Sequence, residues 1–226
     1  MRSSRWHAHG NIYLVADSDE YTMDAELDGV VRVLDVDGDD VRVAIVNPDG
    51  SLAEMSGNGT RIAAAWLMER TRSDGARVHV GPRVVEVRRV REGLFESELG
   101  PVEVGPRETV EDVELTPVSV GNPHAVVVGD PAEIGTLGPL LETHPRFPER
   151  TNVQVARVDA PGDVTARVWE RGVGETSASG SSAVAVAAAT TGEGETLVHF
   201  PGGDLRVRIQ RGRATLTGPA ERLDSP

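Results

Sequence analysis

Two serines sit in matched glycine-rich turns, and each turn opens an alanine-rich apolar stretch. The first reads Glu54-Met55-Ser56-Gly57-Asn58-Gly59-Thr60-Arg61. The second reads Glu175-Thr176-Ser177-Ala178-Ser179-Gly180-Ser181-Ser182. The first turn of a helix carries backbone N–H groups without partners and the positive end of the helix dipole. Glycine and serine at such an entry let a ligand approach the backbone closely, and the site favours a carboxylate or phosphate. Two such ends over one cleft would set Ser56 and Ser179 on opposite sides of a small anion. That arrangement suits a reaction worked from both faces of one carbon.

A serine hydroxyl is a weak base until a partner takes its proton. The candidates are His7, His9, His124, Glu54, Glu170 and Glu175, and spacing alone assigns none of them to either serine. Asn11, Asn47, Asn122 and Asn152 each begin or end an apolar run. Their amides either cap turns or point into a cleft. Glu170-Arg171 is either a surface pair at a strand's end or a matched set for the ammonium and carboxylate of a zwitterion.

The elements that must hold these residues occur twice. Gly10-Asn11-Ile12-Tyr13-Leu14-Val15 resembles Gly121-Asn122-Pro123-His124-Ala125-Val126, the Ser56 turn resembles the Ser179 turn, and Leu99-Gly100-Pro101 resembles Thr217-Gly218-Pro219. The offsets are 111, 123 and 118 residues, in the same order along the chain. Near-constant offsets for ordered signals point to two homologous halves, about 1–110 and 111–226. In each half a Gly-Asn turn leads into an apolar strand, 12–17 or 123–128. An alternating strand follows, 41–46 or 164–169, closed by Asn47 in one half and Glu170 in the other. An alanine-rich helix comes after each serine, 61–70 or 183–190. Strands at 77–80, 83–90 and 94–98, and at 196–200, 204–210 and 213–217, complete the halves. The fold class this predicts is α+β: two pseudo-symmetric halves, each a barrel-like antiparallel sheet wrapped around one central helix.

Composition narrows the chemistry. At 226 residues the chain holds one large or two small domains with a sizeable core. A net charge of −13 argues against nucleic acid or an anionic membrane as partner. All 23 basic residues are arginine, so no lysine is present to form a Schiff base. The absence of cysteine excludes thiolate catalysis, disulfides and thiolate metal sites. No apolar run reaches the ~20 residues of a membrane helix, and the N-terminus lacks a signal-peptide core, which points to the cytoplasm. The implied partner is a small molecule bearing a carboxylate, and a homodimer is the assembly left open.

These stretches resemble the diaminopimelate epimerase family. The resemblance rests on HAHGNIYLVAD at 7–17, VNPDGSLAEMSGNGTRIAAA at 46–65, GNPHAVVV at 121–128, LETHPRFPERTNVQV at 141–155, WERGVGETSASGSSAVAVAA at 169–188, FPGG at 200–203 and LTGPA at 216–220. It implies two similar domains with the active site between them, and a reaction in which one thiolate removes an α-proton while the opposite thiol returns one. Neither metal nor pyridoxal phosphate takes part in that reaction. By position, Ser56 and Ser179 stand where the family has its two catalytic cysteines. Gly57-Asn58 and Gly180-Ser181 stand where the backbone binds the α-carboxylate. Asn11, Asn47, Asn122, Asn152, Glu170 and Arg171 match substrate-binding positions, and His124 matches a histidine beside the catalytic pair.

Three departures separate this chain from the family pattern. Both cysteines are serine, the usual Gly-Asn-Asp-Phe reads Gly10-Asn11-Ile12-Tyr13, and the 18–40 region is short and lacks the usual helix. The expected activity is a cofactor-independent isomerase of an amino-acid-like or small carboxylate substrate, working without thiols, and formation of meso-diaminopimelate itself is not expected. Ser56, Ser179, His124 and Glu170 are its candidate catalytic residues. A lyase, dehydratase or cyclase on the same scaffold is the first alternative, and a small-acid binding protein without chemistry is the second.

Overall fold

A computed structural model describes residues 3–18, 21–52 and 56–223. The chain forms two compact units, Met1–Glu98 with Thr217–Pro226, and Leu99–Leu216. This division differs from a simple cut at 110/111. The end of the chain rejoins the first unit, where Glu221–Arg222 pairs antiparallel with Ser3–Ala8.

In the first unit Ser3–Ala8 and Asn11–Ala16 form an antiparallel hairpin. Asn11–Ala16 then runs parallel to Gly29–Asp37, which is antiparallel to Asp40–Val46. Asp40–Val46 is parallel to Gly75–Val80, and Gly75–Val80 is antiparallel to Arg83–Arg91. The second unit repeats this alternation. Val113–Ser119 and Pro123–Val128 are antiparallel, and Pro123–Val128 is parallel to Asn152–Ala160. Asn152–Ala160 is antiparallel to Asp163–Glu170, which is parallel to Gly194–Phe200, itself antiparallel to Gly203–Gln210. Each sheet is therefore mixed. The antiparallel pairs are joined by parallel ones, because every second connection crosses over before returning to the sheet.

Each unit wraps its strands around one helix, α1 (Gly57–Thr71) in the first and, in the second, the later helix Gly180–Thr190. Asn58 through Met68 are buried on every side of α1, and Gly180 through Ala188 are buried in its counterpart. A helix buried all round needs no polar face. Alanines at positions 63–65 and 183, 185 and 187 let the strands approach closely, and Val30, Val31, Val41, Val43, Val164 and Val168 fill the space, each at most 1% exposed. Fully burying one such valine stabilises the fold by roughly 1.5–3 kcal/mol.

The units differ in one crossover. Between Pro123–Val128 and Asn152–Ala160 the chain forms α2 (Ile134–Glu142), whereas no helix occurs among the described residues between Asn11–Ala16 and Gly29–Asp37. The sequence reading missed α2 because Gly135, Gly138 and Pro139 look like helix breakers. Gly138 has a packing reason. A Cβ there would lie 2.7–2.8 Å from Trp169 atoms, so only glycine lets the indole rest on the helix. The helix Gly180–Thr190 is α3 below.

Candidate active site

The Ser56 half-site grows from the start of α1. Ser56 is the extended N-cap residue, and its Oγ accepts from Gly59 N at 3.0 Å. The first helical hydrogen bond runs from Thr60 N to Ser56 O. The first-turn amides of Gly57 and Asn58 have no partner within the helix and are the groups an anion would meet there. Gly59 permits the tight entry, because a Cβ would come within 2.9 Å of Ile45 Cδ1. Glu54 lies outside the described residues.

Arg61 follows one turn later and is completely buried. It donates through Nη2 to Asn58 Oδ1 and through Nε to Pro219 O, while Nη1 meets no partner among the described residues. No carboxylate among the described residues forms an ion pair with it. Burial lowers its pKa to about 10, and the charge of Tyr13 acts in the opposite direction. The Tyr13 hydroxyl stands 3.3 Å from Ser56 Oγ.

The Ser179 half-site is built differently. Ser179 is again the extended N-cap residue, at the start of α3, but its hydroxyl makes no capping bond. The Glu170 carboxylate lies close by, near enough for the Ser179 hydroxyl to favour its ionised form. Thr176 Oγ1 donates to Glu170 Oε1 at 2.6 Å. Burial raises the Glu170 pKa, and the hydrogen bonds from Thr176 and Ser179 only partly offset it. The first helical bond runs from Ala183 N to Ser179 O. The first-turn amides of Gly180, Ser181 and Ser182 have no partner within the helix, and all three residues are buried at the helix start. The site thus offers backbone donors for a carboxylate next to a desolvated proton acceptor.

His124 is 1% exposed and both ring nitrogens are engaged. Nδ1 accepts from Gln154 Nε2 at 3.0 Å, so Nε2 carries the proton and donates to Asn122 Oδ1 at 3.0 Å. Gln154 also donates to Ser182 Oγ at 2.9 Å. Burial drives the His124 pKa down to about 3, with Arg171 adding in the same direction. A neutral imidazole with both nitrogens occupied orients Asn122 and the start of α3.

The remaining residues fall into two groups. Asn152 donates to Pro123 O at 2.9 Å and accepts from Arg171 N at 3.0 Å, which fixes the backbone beside Glu170. Arg171 donates to Glu149 O at 2.9 Å. Asn47 turns back on its own loop and donates to Ser51 Oγ at 2.9 Å. Asn11 begins its strand, half-buried. Among the other candidate partners, His7 Nε2 accepts from Gly10 N, Glu175 pairs with Arg167, and His9 sits in a turn at φ 49°.

Glu142, at the end of α2, is the residue the sequence reading did not single out. Its carboxylate accepts from Trp169 Nε1 at 2.8 Å and Gly172 N at 2.7 Å, and pairs with Arg150. Burial pushes its pKa up, but these three partners together bring it below the usual value. It clamps the turn that carries Glu170 and Arg171.

The chain is 40% identical to a diaminopimelate epimerase of Pelotomaculum thermopropionicum over 88% of this chain and 82% of that protein. It is 39% identical to one of Desulforudis audaxviator over 87% and 82%. Two solved structures share the fold. A protein described as a predicted epimerase from Pseudomonas aeruginosa matches with TM-score 0.77 at 19% identity, covering 99% of this chain and 97% of that one. A hydroxyproline epimerase from Agrobacterium vitis, solved with bound trans-4-hydroxy-L-proline, matches with TM-score 0.72 at 16% identity, covering 97% and 88%. The sequence profile of the family described as Diaminopimelate epimerase matches residues 11–104 and 116–223, and this chain belongs to that family.

Proposed function

We propose that the protein is a cofactor-independent isomerase that moves the α-proton of an amino-acid-like carboxylate, using serine hydroxyls backed by acid–base partners. The observation that carries this reading is the Ser179–Glu170 pair beside the open amides of α3. The amides of Gly180 and Ser181 would hold the substrate carboxylate, and Gly57 and Asn58 offer a second set of donors. Ser179 Oγ would take the α-proton as its own proton passes to Glu170. A carboxylate whose pKa is raised by burial accepts a proton more readily than an ordinary one. Ser56 would return a proton to the opposite face. Asn11, Asn47, Asn122, Asn152 and Arg171 would shape the pocket, with His124 holding Asn122 in place. The relatives' names make diaminopimelate and cyclic amino acids the first substrates to test. Two-thiol epimerisation is closed to a chain without cysteine.

One asymmetry favours a second reading. Ser56 caps its helix whereas Ser179 is paired with a carboxylate. One-sided acid–base chemistry, as in elimination or ring closure, needs only the second arrangement. Incubation with candidate amino acids in deuterated buffer, followed by NMR, separates the cases. Deuterium at the α-carbon of retained substrate is the expected outcome. Loss of water or ring closure would move the protein to the lyase or cyclase class, and ligand binding with neither would leave a binding protein.

A further inference from the structure

Tyr13 occupies a site shaped to hold its ring. It lies on Asn11–Ala16, opposite Gly29 in the parallel pair, and is 8% exposed. A Cβ on Gly29 would lie 2.7 Å from Tyr13 Cε1 and 3.2 Å from Cδ1, so the ring crosses the strand where only glycine leaves room. This places the phenol oxygen 3.3 Å from Ser56 Oγ. Ser56 Oγ already accepts from Gly59 N, which leaves its own proton to be passed on and one lone pair to receive another. The Arg61 guanidinium, one turn along the same helix from Ser56, is wholly buried, and among the described residues its Nη1 meets no partner and no carboxylate pairs with it. A buried cation of this kind is costly unless negative charge develops nearby. The charge of Tyr13 favours the protonated guanidinium, against the effect of burial. A phenylalanine would fill the same ring space, so the hydroxyl is what the arrangement adds.

We propose that Tyr13 is the proton reservoir of the Ser56 half-site, acting through Ser56, with Arg61 as the counter-ion of its phenolate. This rests on the isomerase reading. In the protonating direction the Ser56 Oγ–H bond breaks as its proton joins the carbanionic α-carbon, whose electron pair forms the new C–H bond. The Tyr13 Oη–H bond breaks as Ser56 Oγ takes that proton. The negative charge moves from carbon to the phenolate facing Arg61. The reverse sequence removes a proton from the same face.

The test compares wild type with Tyr13→Phe, Ser56→Ala and the double variant. The probes are LL- and meso-diaminopimelate and L- and D-proline in deuterated buffer, with both α-deuteration and stereochemistry read. Tyr13→Phe keeps the ring on Gly29, and thermal melting checks that it folds. The expected result is inversion slowed by about 10²-fold or more in Tyr13→Phe. Deuteration with retention of configuration, served by Ser179, should persist. The double variant should be no slower than Ser56→Ala, because the two groups form one relay. A purely structural role would slow deuteration and inversion alike. That outcome, or wild-type inversion in Tyr13→Phe, overturns the proposal while the isomerase reading stands. Absence of α-deuteration by the wild type overturns the isomerase reading and the relay with it.

Discussion

At the residue scale, replacing thiol by hydroxyl shifts the burden of proton transfer to the neighbours. A cysteine thiol near pKa ~8.5 supplies its own thiolate at a helix start, whereas serine needs a partner. On the proposed reading Glu170 is that partner for Ser179, and burial raises its pKa. Two consequences follow from the sign of this shift. The exchange rate should rise with pH as Glu170 ionises, with its midpoint above the usual ~4.3 of a glutamate. A carboxyl with a raised folded pKa favours the fold most below its unfolded value, and that contribution is lost as pH rises through the folded one. Glu170→Gln should therefore lower exchange by about 10²–10⁴-fold while holding or raising the melting temperature at neutral pH. A parallel fall in both would show Glu170 to be structural. Glu170 was legible in the sequence, since it closes an alternating strand nine positions before Ser179. Tyr13 was not, because it lies 43 residues from Ser56 and meets it only through strand-on-helix packing.

At the element scale, the turn after Asp163–Glu170 is held from outside. Glu142 at the end of α2 receives Trp169 Nε1 and Gly172 N, and Asn152 receives Arg171 N. The sequence did not reveal this clamp, because α2 was hidden by its glycines and proline, and Gly138 is explained only by the indole that rests on it. Glu142→Gln leaves buried donors with a weaker acceptor, at a cost of about 1–3 kcal/mol. In a chain of this length each kcal/mol lowers the melting temperature by roughly 2–4 °C. The lowered Glu142 pKa means its contribution is present above the unfolded value and fades as pH falls through the folded one. The difference in melting temperature between wild type and Glu142→Gln should thus be full at pH 7 and shrink in acid. A difference that does not change with pH would show that the clamp is not ionic. The strands and helices around the two serines were legible because glycine turns, period-two alternation and alanine runs are local signals. The parallel pairings were not, because nothing local encodes which strand a crossover returns to.

At the scale of the whole molecule, the duplication extends beyond the chemistry. The strand Asp40–Val46 begins with an aspartate that meets His79 at 2.7 Å, and Asp163–Glu170 begins with one that meets His199 at 3.0 Å. The same Asp–His pair thus joins the same two neighbouring strands in each unit. His199 gains a second partner in Asp204 at 2.7 Å, and that hydrogen bond, more than the Asp163 contact, raises its pKa against partial burial. The resulting stability is fully present below the unfolded value of ~6.5 and is lost as pH rises through the folded pKa. His199→Gln should melt below wild type at pH 6, and the two should converge at higher pH and in high salt. A gap that widens with pH would contradict the pairing. The repeat was legible as a whole because its glycine turns recur in order, but its two halves have diverged where the chemistry differs. One serine caps its helix beside a tyrosine and a buried arginine, and the other is paired with a glutamate. These hydroxyl sites are proposed to invert an α-carbon without thiols. Chiral analysis of the α-deuterated product formed from the candidate amino acids by wild-type protein in deuterated buffer tests this directly. Deuterium at an inverted α-carbon, abolished in Ser179→Ala, is expected; deuterium without inversion, or inversion that survives Ser179→Ala, would overturn the proposal.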